Sequence, residues 1–336
     1  MHTALVVTSI SPPTPILRAL AGGARATSTD FILAGDTRSP ADFQLDGCTF
    51  LDIEAQRRTG LAFAQACPTR SYARKNIGYL VAIMRGARLI FETDDDNWPT
   101  AAFFERRERV CRGATLQGNG WTNIYRYFSE ATIWPRGLPL DSVHAPLPPY
   151  ESLAIEERDC PIQQGLADDN PDVDAIYRLL LPLPQRFRSD RRVIAATGTW
   201  CPFNSQNTSW WPDAYPLLYL PVHCSFRMTD IWRSFVAQRI AWENGWSILI
   251  HEPTVRQERN DHDLMRDFAD EVPGYTNNRR IGETLQGLAL RRGKEHTLEN
   301  LRICYEALIG LGVVGADESR LLEAWVGDLK RLGAAS

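Results

Sequence analysis

The length, composition and charge of the chain exclude several classes of protein. Its 336 residues are 44% hydrophobic and 23% charged, which is ordinary globular composition and excludes disordered and fibrous architectures. With 37 Lys and Arg against 41 Asp and Glu, the net charge is −4, and this balance argues against a nucleic-acid-binding protein. Seven dispersed cysteines, none in a CxxC pair, indicate reduced thiols rather than a zinc site or a disulfide framework.

The first ninety residues alternate between short apolar runs and helical patterns. We predict strands at residues 5–10, 31–34, 49–53 and 89–92, and helices at residues 15–21, closing at Gly22-Gly23, and at residues 71–86. Strands that alternate with helices predict an α/β fold with a mostly parallel sheet. In such sheets ligands bind at the carboxyl ends of the strands.

The rest of the chain is less regular. Residues 141–175 are rich in Pro, Asp and Glu and predict a long connecting loop, and residues 202–221 also have a loop-like pattern. Further strands are predicted at residues 193–197 and 247–251, and helices at residues 230–242, 297–310 and 321–329. No apolar run approaches the ~18 residues of a membrane-spanning helix, and the amino terminus lacks the basic residues of a signal peptide.

Three adjacent aspartates, Asp94, Asp95 and Asp96, directly follow the strand predicted at residues 89–92. Neighbouring carboxylates repel each other, which costs stability unless a positive charge lies among them. A hard divalent cation, Mn²⁺ or Mg²⁺, suits such oxygen ligands and would neutralise a diphosphate. The alternative, from the residues alone, is a solvated acidic turn.

Several other charged or polar residues suggest a site, each with a structural alternative. Asp230 stands at the start of a predicted helix, either as a helix cap or as a general base. His251 ends a strand and is either a metal ligand or structural, with His262 as a rival ligand. Arg256 and Arg259 either close over a diphosphate or lie in a solvated loop.

Aromatic and amide side chains are dense in the carboxyl-terminal half. Their flat rings and amides suit the faces and hydroxyls of a sugar, but aromatic side chains serve equally well in core packing. The residues concerned are Trp200, Trp210, Trp211, Tyr215, Asn204 and Asn207.

In their order along the chain these motifs resemble the STELLO family of glycosyltransferases, which have the GT-A fold. The matching stretches are residues 74–80, 91–97, 123–128, 134–140, 161–168 and 227–232. A more distant likeness links the aspartates, Arg136-Gly137 and Asp230-Ile231-Trp232 to the reversibly glycosylated polypeptides, the plant UDP-arabinopyranose mutases. The resemblance implies a GT-A nucleotide-sugar domain at residues 1–275 and a helical extension at residues 276–336, the latter for packing or oligomerisation.

The resemblance also implies a role for each matching residue. Asp96 would bind the metal, Asp94 would bind the metal or the ribose, and Asp95 would lie between them at the nucleotide. Arg136 would lie near the sugar and Asp230 near the acceptor. The other implied contacts are Thr8 and Ser9 with the nucleotide, Asp36 with the base or ribose, Arg74 with the diphosphate, and His251 with the metal.

The resemblance implies a metal-dependent transfer of a sugar from a nucleotide sugar, UDP-linked, to an acceptor hydroxyl in surface glycan or polysaccharide synthesis. The alternatives are a nucleotide-sugar mutase and a non-catalytic nucleotide-sugar-binding protein. Retention or inversion at the sugar stays open. Family members carry a membrane segment that has no counterpart in this sequence, so a cytoplasmic protein, or one at the inner face of a membrane, is expected.

Overall fold

A mixed sheet of eleven strands forms the centre of the fold in the computed structural model, which describes residues 1–259 and 263–334. Its strands are β1 (Thr3–Thr8), β2 (Asp30–Ala34), β3 (Thr49–Leu51), β4 (Leu89–Thr93), β5 (Asn97–Pro99), β6 (Val110–Leu116), β8 (Ala154–Asp159), β9 (Ile162–Asp168), β10 (Val193–Ala195), β12 (Asn207–Trp210) and β13 (Ile248–Gln257). Two further strands, β7 (Gly120–Trp121) and β11 (Thr199–Trp200), pair separately.

Helices flank this sheet and also form the carboxyl-terminal part of the chain. They are α1 (Pro15–Ala26), α2 (Ile53–Arg58), α3 (Ala62–Ala66), α4 (Lys75–Met84), α5 (Ala175–Leu180), α6 (Thr229–Glu243), α7 (Leu264–Gln286), α8 (Thr297–Gly310) and α9 (Glu318–Arg331), with short 3-10 helices between them. The predicted α/β class, with a mixed sheet and a helical extension, is therefore confirmed.

The first half of the sheet is parallel and determines where the site lies. Its strand order is β3-β2-β1-β4, and all four strands run in the same direction. Strand β12 then pairs antiparallel with both β4 and β9, and β9 pairs parallel with β13. The carboxyl ends of β1, β2 and β4 therefore meet at one edge of the sheet.

Two central strands lie where we predicted loops. Strand β9 falls within residues 141–175 and β12 within residues 202–221, so both loop predictions are wrong there. Both strands carry buried polar side chains, which hide the apolar pattern of a strand. Gln164 Nε2 donates to the Asn207 carbonyl across the β9–β12 pair, and Thr208 Oγ1 donates to Gln164 Oε1. A buried polar group is tolerated because it finds such a partner.

Helix α1 also differs from its prediction, because it continues past Gly22-Gly23 to Ala26. A Cβ atom on Gly23 would lie 2.2 Å from Phe104, so this glycine provides room for a neighbouring ring and does not end the helix. At Gly86, by contrast, φ is +82°, and the predicted end of α4 is confirmed.

The helical extension is joined to the sheet domain through buried contacts. Asp328 of α9 accepts hydrogen bonds from the backbone amides of Ala62 and Phe63 at the start of α3. Helix α7 runs across the predicted boundary at residues 275 and 276. None of the helices within residues 1–259 and 263–334 has the length and apolarity to cross a bilayer.

Candidate functional site

A cleft of about 450 Å³ opens at the edge where β1, β2 and β4 end. Because these strands are parallel neighbours, the residues that follow them are brought together there. The cleft is lined by all the residues of the predicted site except His251, namely Thr8, Ser9, Asp36, Arg74, Asp94, Asp95, Asp96, Arg136 and Asp230.

Asp94 and Asp95 are held by neighbouring protein groups. Asp94 Oδ1 accepts hydrogen bonds from Lys75 Nζ at 3.0 Å and from the Tyr72 hydroxyl at 2.8 Å. Asp95 Oδ2 accepts one from Ser9 Oγ at 2.5 Å. Burial raises the pKa of Asp95, although the bond from Ser9 opposes the shift. The buried ammonium of Lys75 thus offsets part of the negative charge.

Asp96 is compensated less, because burial and the charge of Asp94 raise its pKa by more than the charge of Arg259 lowers it. Its Oδ2 accepts a hydrogen bond from Gln257 Nε2 at 3.0 Å, but its Oδ1 is buried and has no hydrogen-bond partner. Burial, followed by the charge of Asp94, raises the pKa of Asp96 to about 7. An unpartnered carboxylate oxygen in a cleft is the ligand that a cation would complete.

The aspartates fit a metal held jointly with a substrate. Across the described ranges, no three His, Cys, Asp or Glu side chains are arranged so that they could hold a metal ion. Mg²⁺, however, is usually bound through one or two carboxylates, several waters and the phosphates of its substrate. Asp96 together with Asp94 or Asp95 matches that mode.

His251 is not brought to this edge. Its side chain is buried and absent from the cleft lining, and Nδ1 lies 3.0 Å from the carbonyl oxygen of Glu252. Burial, followed by the charge of Arg107, lowers the pKa of His251 well below its usual value. The structure thus places this histidine in a structural setting; the rival, His262, lies outside the described residues.

Arg74 offers a free donor on the side of the cleft formed by the parallel strands. Its Nε donates to Gln56 Oε1 at 2.8 Å and its Nη1 to the Cys67 carbonyl at 2.9 Å, while Nη2 is buried without a partner. Asp36 Oδ2 accepts from the Ser71 amide at 3.1 Å and holds the segment before Arg74. The unpartnered Nη2 can donate to an anion such as a diphosphate.

Arg136 is engaged entirely by protein groups. Its Nε and Nη2 donate to Asp172 at 2.7 and 2.9 Å, and its Nη1 and Nη2 donate to Asp230 at 3.1 Å each. Nη1 also donates to the carbonyl of Arg227. These bonds use all five N–H donors of the guanidinium. Arg136 therefore positions Asp230 and has no donor left for a sugar.

Asp230 is correspondingly a weak base. Burial by itself would raise its pKa, but the charge and hydrogen bonds of Arg136 lower it below its usual range. Its Oδ2 also accepts from the backbone amide of Ser205 at 3.2 Å. The Ser205 hydroxyl lies 3.3 Å from that oxygen and 2.5 Å from the Tyr72 hydroxyl, which donates to Asp94. Ser205, whose backbone amide donates to Asp230, and Tyr72, whose hydroxyl donates to Asp94, thus connect the two aspartates.

Other lining residues were not singled out from the sequence. Phe226 is 59% exposed and meets the ring of Tyr72 edge-on, with centroids 6.0 Å apart. Arg178 and Arg227 join Arg259 on one wall of the cleft. Arg227 is the first residue of the matched stretch at residues 227–232 and Phe226 directly precedes it, which was a signal for both. No pattern in the sequence pointed to Arg178.

The aromatic and amide residues considered for sugar binding lie in the core instead. Trp200, Trp210, Trp211 and Tyr215 are buried and do not line the cleft. The amide of Asn204 donates to Asp172, and that of Asn207 donates to the Leu166 carbonyl. These residues therefore serve in core packing, and the structure does not place them where they could bind a sugar in the cleft.

Comparisons with known proteins show which sequences this chain is similar to. Residues 227–335 match the family model of the STELLO glycosyltransferases. Over 98% of its length the chain is 28% identical to "Probable glycosyltransferase STELLO2" and 27% identical to "Probable glycosyltransferase STELLO1", both from Arabidopsis thaliana. The predicted resemblance to the STELLO family is confirmed. The chain spans 45% and 44% of the lengths of these two STELLO relatives.

Proposed function

We propose that the chain is a metal-dependent glycosyltransferase that moves a sugar from a nucleoside diphosphate, UDP in particular, to an acceptor hydroxyl. The observation that carries the proposal is the pair of unsatisfied groups in the cleft. Asp96 Oδ1 and Arg74 Nη2 are both buried without a hydrogen-bond partner. A metal ion bound to a diphosphate would provide a cation for Asp96 and an anion for Arg74 in a single ligand.

The nucleotide lies, in this proposal, against the ends of β1 and β2. Thr8, Ser9 and Asp36 line that part of the cleft, and the exposed ring of Phe226 offers a surface for stacking. Mn²⁺ or Mg²⁺, when bound, would neutralise charge that grows on the departing diphosphate. Arg74 would donate to the same diphosphate and stabilise it further.

In this proposal Asp230 lies on the acceptor side of the cleft and positions the acceptor. A carboxylate whose pKa lies below the usual range is a poor general base at neutral pH. Arg136 positions Asp230 in turn. All the N–H donors of Arg136 are bonded to protein groups, so Arg136 has none left to bind the sugar as a mutase would require. No observation in the cleft therefore favours the mutase over the transferase.

Thermal unfolding tests the proposed donor class. UDP and GDP, each with and without Mn²⁺, are added to the protein, and the Tm is measured. We expect UDP and Mn²⁺ together to raise the Tm by more than the sum of their separate effects, because a ligand that binds only the folded state stabilises it.

A Tm that no nucleotide changes would contradict the proposed site. A response to GDP alone would keep a nucleotide site but exclude uridine. Release of UDP from UDP-sugars then separates a transferase from a non-catalytic binding protein.

A further inference from the structure

Three arginines form one wall of the cleft, which we call the arginine wall. Arg178 lies in α5, Arg227 just before α6, and Arg259 just after β13, and all three line the cleft. These elements belong to the second half of the sheet and its helices. The nucleotide side, by contrast, is built from the ends of β1, β2 and β4.

Two of these arginines are paired with carboxylates of α7. Arg227 Nη2 donates to Glu271 Oε1 at 2.8 Å, and Arg259 Nη2 donates to Asp267 Oδ2 at 2.5 Å. Their side chains are only 12% and 11% exposed. Arg259 Nε is nevertheless buried without a hydrogen-bond partner.

Arg178 has weaker partners still. Its Nη2 donates to the Pro171 carbonyl at 2.8 Å and its Nη1 to Asn170 Oδ1 at 3.4 Å, both of them neutral groups. Its Nε is buried and unpartnered. Within residues 1–259 and 263–334, no carboxylate lies within ion-pair distance of this guanidinium.

The charges of the wall act on one another. Burial, followed by the positive charge of Arg259, lowers the pKa of Arg178 to about 9, with a smaller contribution from Arg227, although the carboxylates of Asp172 and Glu271 oppose the shift. Burial, followed by the charge of Arg227, also lowers the pKa of Arg259. Repulsion among these positive charges costs free energy, and an anion bound between them would offset that cost.

We infer that the arginine wall binds an anionic group carried by the acceptor, and that this group is a phosphate. The inference rests on the proposed transferase function. The diphosphate of a donor already has a free guanidinium donor in Arg74, on the side of the parallel strands. The wall adjoins Arg136 and Asp230, since the Arg227 carbonyl accepts from Arg136, while at its other end the charge of Arg259 also acts on Asp96. Guanidinium groups match phosphate oxygens with paired donors.

Calorimetric titration of inorganic phosphate tests this inference, with the protein saturated in UDP and Mg²⁺. We expect wild type to bind phosphate and Arg178→Gln to bind it at least about tenfold more weakly, because each charge-assisted hydrogen bond contributes substantially. UDP affinity is expected to stay within about twofold of wild type. Arg178→Lys keeps the positive charge but loses the paired N–H donors of the guanidinium, so an intermediate affinity for phosphate is expected.

Arg256→Gln is the matched control, because Arg256 lies on β13, is exposed, pairs with Asp169 and does not line the cleft. It should leave phosphate binding unchanged. Absent phosphate binding in wild type would overturn the inference, as would an Arg178→Gln variant that loses UDP affinity to the same extent. A third outcome separates the two proposals: phosphate binds, Arg178→Gln abolishes phosphate binding, and UDP does not bind. The anion site would then be supported, and the transferase proposal would fail.

Discussion

Arg233→Met is expected to destabilise the protein by about 3–5 kcal/mol, because it leaves a buried carboxylate without its counter-charge. Arg233 and Glu92 are both almost fully buried, and two hydrogen bonds of 2.8 and 3.0 Å join them. Glu92 also accepts from the Tyr79 hydroxyl and from Trp210 Nε1. The pair clamps β4, which leads into the three aspartates, to α6, which carries Asp230.

Urea unfolding measures this loss. Adding Glu92→Gln to Arg233→Met is expected to restore part of the stability, since glutamine has no charge to leave unpaired. Arg302→Met is the control, because the Arg302–Glu323 pair of α8 and α9 is largely exposed and is expected to contribute less than about 1 kcal/mol. Equal losses of unfolding free energy in Arg233→Met and Arg302→Met would contradict the expected contribution of the Arg233–Glu92 pair to stability.

Asp96→Asn is expected to weaken metal-dependent binding of UDP by about 100-fold, close to 3 kcal/mol. Asparagine keeps an oxygen that can accept from Gln257 but removes the charge that a cation requires. The free protein should not lose stability, because the substitution removes a buried and unpaired charge. Lost affinity together with retained stability is the expected signature of a ligand-binding carboxylate.

Titration of UDP with and without Mn²⁺ into wild type and variant measures the affinity change. Asp169→Asn is the matched control: this aspartate follows β9, does not line the cleft, and has a φ of +68°, which asparagine tolerates. Metal-dependent affinity that survives in Asp96→Asn would exclude Asp96 as a ligand.

The parallel half of the fold could be predicted from the sequence because its strands are apolar and separated by helical patterns. Strands β1, β2 and β4 lie close to their predicted positions, and the residues that follow them were recognised as a site. Strands β9 and β12 were missed because buried glutamine, asparagine and threonine side chains there are satisfied only by tertiary contacts. Periodicity cannot show such contacts.

Individual side-chain roles were harder to predict than the location of the site. Nothing in the sequence shows that all the N–H donors of Arg136 bond to Asp172, Asp230 and a backbone carbonyl, because these partners are distant from Arg136 along the chain. His251 was predicted to end a strand, but β13 continues past it to Gln257, and Gln257, not the histidine, contacts Asp96.

The position of Mn²⁺ in crystals grown with UDP tests the central claim most directly, because the anomalous signal of manganese identifies the ion. The account predicts a peak within about 2.0–2.4 Å of Asp96 Oδ1, between the aspartates and the diphosphate. A peak beside His251, or UDP in the cleft with no manganese near Asp96, would contradict it.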